Sequence, residues 1–141
     1  KGTAALGQII DQHQITFMSS VPSFWKVALK ISHQPKQQSL KQINIGSAPL
    51  SADLWNRVIS WAGTNHVANM YGITETANWI GGALASEIPP EDGILGRMWG
   101  GSVAVITSKG ELKSQGEGEI VIQVPSLMQA YYQRLRDLKT S

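Results

Sequence analysis

The chain contains no cysteine, so neither a disulfide framework nor a thiolate metal site can be built from it. Histidine is nearly as scarce: His13, His33 and His66 stand singly, too few and too scattered for a zinc site, and each fits an ordinary surface role. A strong excess of one charge is also missing. Twelve basic against ten acidic residues leave a formal net charge of +2, without the basic stripe of a nucleic-acid-binding surface. No long apolar run exists either. The charge-free stretch Val58–Thr74 is interrupted by Ser60, Thr64, Asn65, His66 and Asn69, short of the ~18 consecutive apolar residues a membrane span needs. The expectation is a soluble, cytoplasmic chain with no nucleic acid and no membrane span among its partners. Lys1-Gly2-Thr3-Ala4 carries neither an initiator methionine nor a signal-peptide pattern, which suggests a piece of a longer protein.

What is present is enough to form a core: 42% of the 141 residues are hydrophobic and 16% charged. Leu6, Ile9 and Ile10 recur at helical spacing up to about Gln14, and the apolar run Ile15–Met18 is short enough for a buried strand. Pro22 suits the first turn of a second helix, whose apolar face is Phe24, Trp25, Ala28 and Leu29. After a polar loop, Ile43-Asn44-Ile45 reads as a strand closed by Gly46. Ser51 then caps a third helix with Asp53 in its first turn, and Gly63 ends it. Val67–Met70 is the next strand. Strands and helices alternating at this spacing predict an α/β fold, a partial parallel sheet with flanking helices. After Gly82 the texture becomes β-rich, with runs at 103–107 and 119–124 separated by the turn signals Ser108-Lys109-Gly110 and Gly116-Glu117-Gly118. The expected division is an α/β portion, residues 1–85, followed by a β-rich, partly barrel-like portion, residues 86–141.

In parallel sheets, ligands bind beyond the carboxyl ends of the strands. Two loops fall there. Gly46-Ser47-Ala48-Pro49-Leu50-Ser51 offers small residues that let backbone approach a flat ligand, followed by a helix N-terminus. Asn69-Met70-Tyr71-Gly72-Ile73-Thr74-Glu75-Thr76 gathers an amide, a phenol, hydroxyls and a carboxylate. A carboxylate beside hydroxyls suits Mg²⁺, which leaves its other positions to water and phosphate, and the phenol ring offers a face to a base. Together they point to a nucleotide-phosphate site. Taken singly, Gly46–Pro49 is an ordinary strand-to-helix turn and Glu75 a solvated acid.

The second loop resembles the Asn-x-Tyr-Gly-x-Thr-Glu signature of the adenylate-forming superfamily, which includes acyl-CoA synthetases, luciferases and the adenylation domains of nonribosomal peptide synthetases. Four other segments resemble it in family order. They are Ile15–Pro22, the Gly46–Ser51 loop, Gly93-Ile94-Leu95-Gly96-Arg97, and Gly116–Ile122 with Pro125–Tyr132. The resemblance implies that Tyr71 stacks on adenine with Gly72 beside it, that Asn69 bonds the exocyclic amine, and that the backbone of Gly46, Ser47 and Ala48 lines the base. It implies that Thr74 and Glu75 are the catalytic pair, Thr74 bonding the α-phosphate and Glu75 ligating Mg²⁺. Ile43, Ile45, Met70, Asn78 and Trp79 would line the acyl pocket, Trp79 narrowing it, with core packing an equal alternative for Ile43 and Ile45.

The implied reaction is activation of a small carboxylic acid by ATP to an acyl-adenylate, passed to CoA or to the phosphopantetheine of a carrier protein. Two departures stand out. Ile73 replaces the proline usual in peptide synthetases, and Ala130 replaces a glycine, at a cost in stability if that position needs positive φ. The family's phosphate loop, its ribose-binding Asp and its catalytic Lys are not in these residues, and Lys139 reads as a solvated tail charge. The expectation is therefore a central segment of a parent adenylation enzyme, needing the remainder for activity and showing exposed apolar patches. The alternative is a non-catalytic adenylation-like interaction module of a multidomain synthetase.

Overall fold

The computed structural model describes residues 2–131, so Tyr132 and the Arg134–Ser141 tail lie outside the described residues. Helix α1 spans Leu6–His13, strand β1 Phe17–Ser20, helix α2 Pro22–Ile31, strand β2 Gln42–Ile45, helix α3 Ala52–Ala62 and strand β3 Val67–Gly72. A short 3₁₀ turn, Thr74–Thr76, leads to β4 at Trp79–Leu84 and β5 at Arg97–Met98. The remaining strands are β6 at Ser102–Ile106, β7 at Leu112–Lys113 and β8 at Glu119–Gln123. A five-stranded sheet has the order β1-β2-β3-β4-β5, and a separate three-stranded sheet the order β7-β6-β8. β1, β2 and β3 run parallel, whereas β6 is antiparallel to both its neighbours. This is the expected α/β class followed by a β-rich segment.

The described residues fall into two compact units. One holds the chain through Tyr71 together with Gly81–Arg97, and the other holds Gly72–Ile80 with the described residues from Met98 onward. In the first unit, the register pairs Ile43 with Val67 and Ile45 with Asn69, which places these four side chains on one sheet face. Ile43, Ile45 and Val67 there join a core with Ile10, Trp25, Leu54, Trp55 and Val58 from the three helices. Trp25 and Trp55 are fully buried, and each indole N–H is satisfied, Trp25 donating to Ser20 Oγ at 2.7 Å and Trp55 to the Val67 carbonyl at 3.0 Å. The α3 ends follow the predicted chemistry. Ser51 Oγ accepts from Leu54 N at 3.3 Å, and Gly63 closes the helix in the left-handed region at φ 68°.

Three local expectations shift. β1 begins at Phe17 and not at Ile15, because Ile15 N is still bonded to the Ile10 carbonyl in the C-terminal turn of α1. β3 continues through Tyr71-Gly72, so the strand itself delivers the phenol to its carboxyl end. β4 was not anticipated: Trp79-Ile80-Gly81-Gly82-Ala83-Leu84 lacks the apolar/polar alternation that marks a half-buried strand. The glycine packed against this strand has a steric reason. A Cβ on Gly96, itself at φ +83°, would lie 1.9 Å from the Gly82 carbonyl oxygen, so the backbone of the Gly93–Gly96 turn lies directly on that strand.

Candidate functional site

The first unit carries the residues assigned to a base. Gly46 N donates to the Ser20 carbonyl at 3.1 Å and Leu50 is buried in the core, so both ends of the Gly46–Ser51 loop are anchored. Between the anchors, Ser47, Ala48 and Pro49 are exposed, and Ser47 sits in the left-handed region at φ 68°, where a non-glycine residue is uncommon. Asn69 is buried, and its amide Nδ2 donates to the Ile94 carbonyl at 2.7 Å. That bond fixes the side chain so that Oδ1 remains as the acceptor, the polarity needed to receive an amine donor. Tyr71, next on the same face, is half-buried.

The helix N-terminus expected to face a ligand is instead closed by the protein. Asp92 Oδ1 accepts from Ala52 N at 2.6 Å, so a side-chain carboxylate from forty positions downstream already occupies the positive end of α3, alongside the Ser51 cap. Sequence spacing gave no sign of this pairing, since Asp92 lies in a Pro-rich loop with no local relation to the helix.

The acyl-pocket set is divided by the pleat. Ile43 and Ile45 are fully exposed to nothing but the core, with relative accessibility of 0% each, whereas Met70 alternates onto the other face of β3 and is buried outside that cluster. Asn78 is exposed and Trp79, at the start of β4, is half-buried. Gly72 admits no side chain: a Cβ there would lie 2.5 Å from the Asn78 carbonyl oxygen and 2.8 Å from Trp79 Cα.

The second unit carries Thr74 and Glu75 on a turn built by Thr76. Thr76 is fully buried; its Oγ1 accepts from Ile73 N at 3.1 Å and lies 2.9 Å from both the Ile73 and Asn78 carbonyl oxygens. Ala77 then reverses the chain in the left-handed region at φ 59°. Thr74 is left exposed and Glu75 half-exposed. The Tyr131 hydroxyl donates to Glu75 Oε1, and Met128 N donates to the Glu75 carbonyl at 2.8 Å. The Tyr131 bond, then a backbone bond at Glu75 itself, hold the Glu75 carboxyl below its ordinary range of about 4.5. It is thus a carboxylate at neutral pH.

A magnesium ion fits these donors in one mode. Mg²⁺ takes one or two protein carboxylates and leaves its remaining positions to water and substrate phosphate. Glu75 offers one ionised carboxylate with Oε1 held by Tyr131, beside the exposed Thr74 hydroxyl, and among the described residues no cluster of three or more His, Asp or Glu side chains forms a dedicated cage. His13, His33 and His66 are all exposed, as expected of surface histidines. The strain feared at Ala130 is not seen: among the described residues, the non-glycine positions at positive φ are Gln14, Gln38, Ser47 and Ala77. Thr76 and Tyr131 were given no role by sequence. The Ile73/Thr76 spacing is a local hydroxyl-to-backbone pattern that could have shown the first; Tyr131, 56 positions from Glu75, had no local signal.

The parallel strands β1, β2 and β3 with their connecting helices define the class of this protein as α/β. Within that class, the family described as AMP-binding enzyme matches residues 2–132, and the chain belongs to it. A curated relative, the 4-coumarate–CoA ligase-like 6 protein of Oryza sativa subsp. japonica, is 29% identical over 138 residues, which cover 91% of this chain and 22% of the relative. The N-terminal domain of FACL13 from Mycobacterium tuberculosis has the same fold, with a TM-score of 0.81 at 20% identity, over 98% of this chain and 36% of that one. O-succinylbenzoate coenzyme A synthetase from Bacillus subtilis, solved in complex with ATP and magnesium ion, gives a TM-score of 0.75 at 22% identity, over 99% of this chain and 29% of that one. The chain therefore spans a minor part of the length of each. Among the described residues, no helix is long and apolar enough to cross a membrane.

Proposed function

We propose that this chain supplies the adenine- and phosphate-handling part of an ATP-dependent ligase, which activates a small carboxylic acid as its acyl-adenylate for transfer to a thiol of CoA or a carrier protein. The single observation that carries this reading is the turn that leaves the Thr74 hydroxyl exposed beside an ionised, oriented Glu75 carboxylate. A packing or docking role has no use for that pair. In the reaction, a carboxylate oxygen of the acid attacks the α-phosphorus of ATP. The bond from that phosphorus to the bridging oxygen breaks, and pyrophosphate leaves with the electron pair.

Two anions must approach each other, so the demand on the protein is orientation and charge compensation. Thr74 donates its hydroxyl hydrogen to an α-phosphate oxygen. Asn69 Oδ1 receives the adenine amine, Tyr71 stacks on the base, and the exposed backbone of Ser47 and Ala48, continuing from Gly46, lines it. Gly72, with no room for a side chain, keeps the chain close beneath Asn78 and Trp79. A magnesium ion held by Glu75, when bound, supplies positive charge to the phosphate oxygens. Met70, Asn78 and Trp79 are assigned to the acyl group, with Ile43 and Ile45 supporting from the core. In this reading residues 1–85 carry the nucleotide loops and residues 86–141 form the β-rich portion.

ATP–pyrophosphate exchange with a panel of carboxylic acids tests the proposal. The full gene product is expected to exchange with at least one acid, and Glu75→Gln to lower that rate by roughly 10²–10³, the cost of removing one well-placed electrostatic group. Exchange that survives Glu75→Gln unchanged would refute the assigned role. Absence of exchange with every acid, in a folded full-length protein, would favour the interaction-module alternative.

A further inference from the structure

Glu75 is the end point of two long-range hydrogen bonds from the same short segment. Met128 N donates to its carbonyl at 2.8 Å and the Tyr131 hydroxyl to its Oε1. Leu127 N, bonded to the Val124 carbonyl at 3.2 Å, makes the turn that follows β8, so the segment is itself attached to the three-stranded sheet. The backbone bond fixes where residue 75 lies; the phenol bond fixes how its carboxylate is turned. Those are separate jobs. The Thr76 network and the Met128 bond already hold the main chain of the turn, yet neither touches the carboxylate, whose side-chain torsions are otherwise free to rotate in a half-exposed position.

We propose that Tyr131 is a positioning residue for Glu75, its hydroxyl engaging one carboxylate oxygen so that the other is presented to a divalent cation. This rests on the reading of Glu75 as the metal-binding carboxylate. The physical basis is that a monodentate carboxylate ligand binds more tightly when its second oxygen is already hydrogen-bonded, because the rotamer entropy of the side chain is lost on folding and not on metal binding. Tyr131 thereby gives the segment after β8 a function in the site, beyond closing the sheet.

The test uses Tyr131→Phe, which deletes the hydroxyl alone and leaves the Met128 bond in place, beside Glu75→Gln, both in the full gene product. The probes are Mn²⁺ binding by electron paramagnetic resonance in the presence of α,β-methylene ATP, and binding of the same nucleotide in excess EDTA. Tyr131→Phe is expected to weaken Mn²⁺ binding about tenfold, the lower end of the usual cost of an outer-shell partner, with metal-free nucleotide affinity unchanged. Unchanged Mn²⁺ affinity, or an equal loss of both affinities, would overturn the inference, since the phenol would then be idle or merely structural. Glu75→Gln separates the two levels. Loss of Mn²⁺ binding there with none in Tyr131→Phe removes only the positioning role, whereas intact binding in Glu75→Gln removes the metal-ligand reading itself.

Discussion

The two units are held together in different ways. The first buries its large apolar residues: Trp25 and Trp55 are fully enclosed, with Ile10, Ile43, Ile45, Val58 and Val67 around them. The second leaves its apolar residues in solvent, with Leu112 at 67% relative accessibility, Trp99 at 59% and Ile120 at 49%, and its buried members reduce to Thr76, Ile80 and Val124. Its order comes from the β6–β8 ladder and from hydrogen bonds onto the Thr74–Thr76 turn. The difference bears on function. Asn69 and Tyr71, proposed to hold the base, stand at the end of a core-backed strand, while Thr74 and Glu75 stand on a turn fixed by polar contacts. Val103, Leu112, Ile120 and Val121 on the second sheet are exposed apolar side chains, as are Phe17, Val27 and Ile31 in the first unit.

The contrast predicts opposite sensitivities. Trp55→Ala in the first unit removes a fully buried ring and leaves Val67 without its indole partner, so it should cost about 3–5 kcal/mol in chemical denaturation. Leu112→Ala in the second, at a position two-thirds exposed, should change stability by no more than ~0.5 kcal/mol. Comparable losses from both would mean that the β7-β6-β8 sheet is covered in solution.

Thr76→Val is the converse probe, because it keeps the shape and removes the hydroxyl. The Ile73 N–H loses its acceptor, and the Ile73 and Asn78 carbonyls lose a donor, in a fully buried place. A cost of roughly 1–3 kcal/mol follows from leaving such groups unsatisfied. Hydrogen exchange should place it at the amides of Ile73 and Thr76 and leave the amides of β2 protected. Spread of the effect through β2 would show that the turn is not held locally.

How far the sequence made this legible follows the same divide. Helical periodicity, the Ser51 cap and Gly63 located α3 to the residue, because caps and apolar stripes are local patterns. The Thr74–Thr76 turn falls where the polar run after Val67–Met70 reads as a loop. β4 was missed because its burial is decided by what packs on it, and its two central glycines look like loop residues. Asp92 on Ala52 and Tyr131 on Glu75 were missed because tertiary folding brings together positions 40 and 56 apart. Ile43 and Ile45 carried two readings in the sequence, and alternation along β2 places them in the core.

The expected gains in stability, small beside the loss at Trp55, lie at two strained positions, one in each unit. Ser47 and Ala77 both hold left-handed backbone, at φ 68° and 59°. An L-residue there pays roughly 1–2 kcal/mol, and replacement by glycine relieves it but frees the unfolded chain by about 0.4–1 kcal/mol. A net gain of up to about 1.5 kcal/mol is therefore expected for both Ser47→Gly and Ala77→Gly, read from denaturant midpoints. Their consequences for binding should differ. Ala77 only ends a turn that Thr76 already pins, so adenosine affinity should be unaffected by Ala77→Gly. Ser47 holds the exposed middle of a loop anchored at Gly46 and Leu50, where conformational restriction is what keeps the backbone ready for a base. Ser47→Gly should weaken adenosine binding a few-fold while raising stability. If it raises stability and leaves adenosine binding intact, the strain at Ser47 belongs to the fold alone, and the base side of the molecule owes its order entirely to the core beneath it.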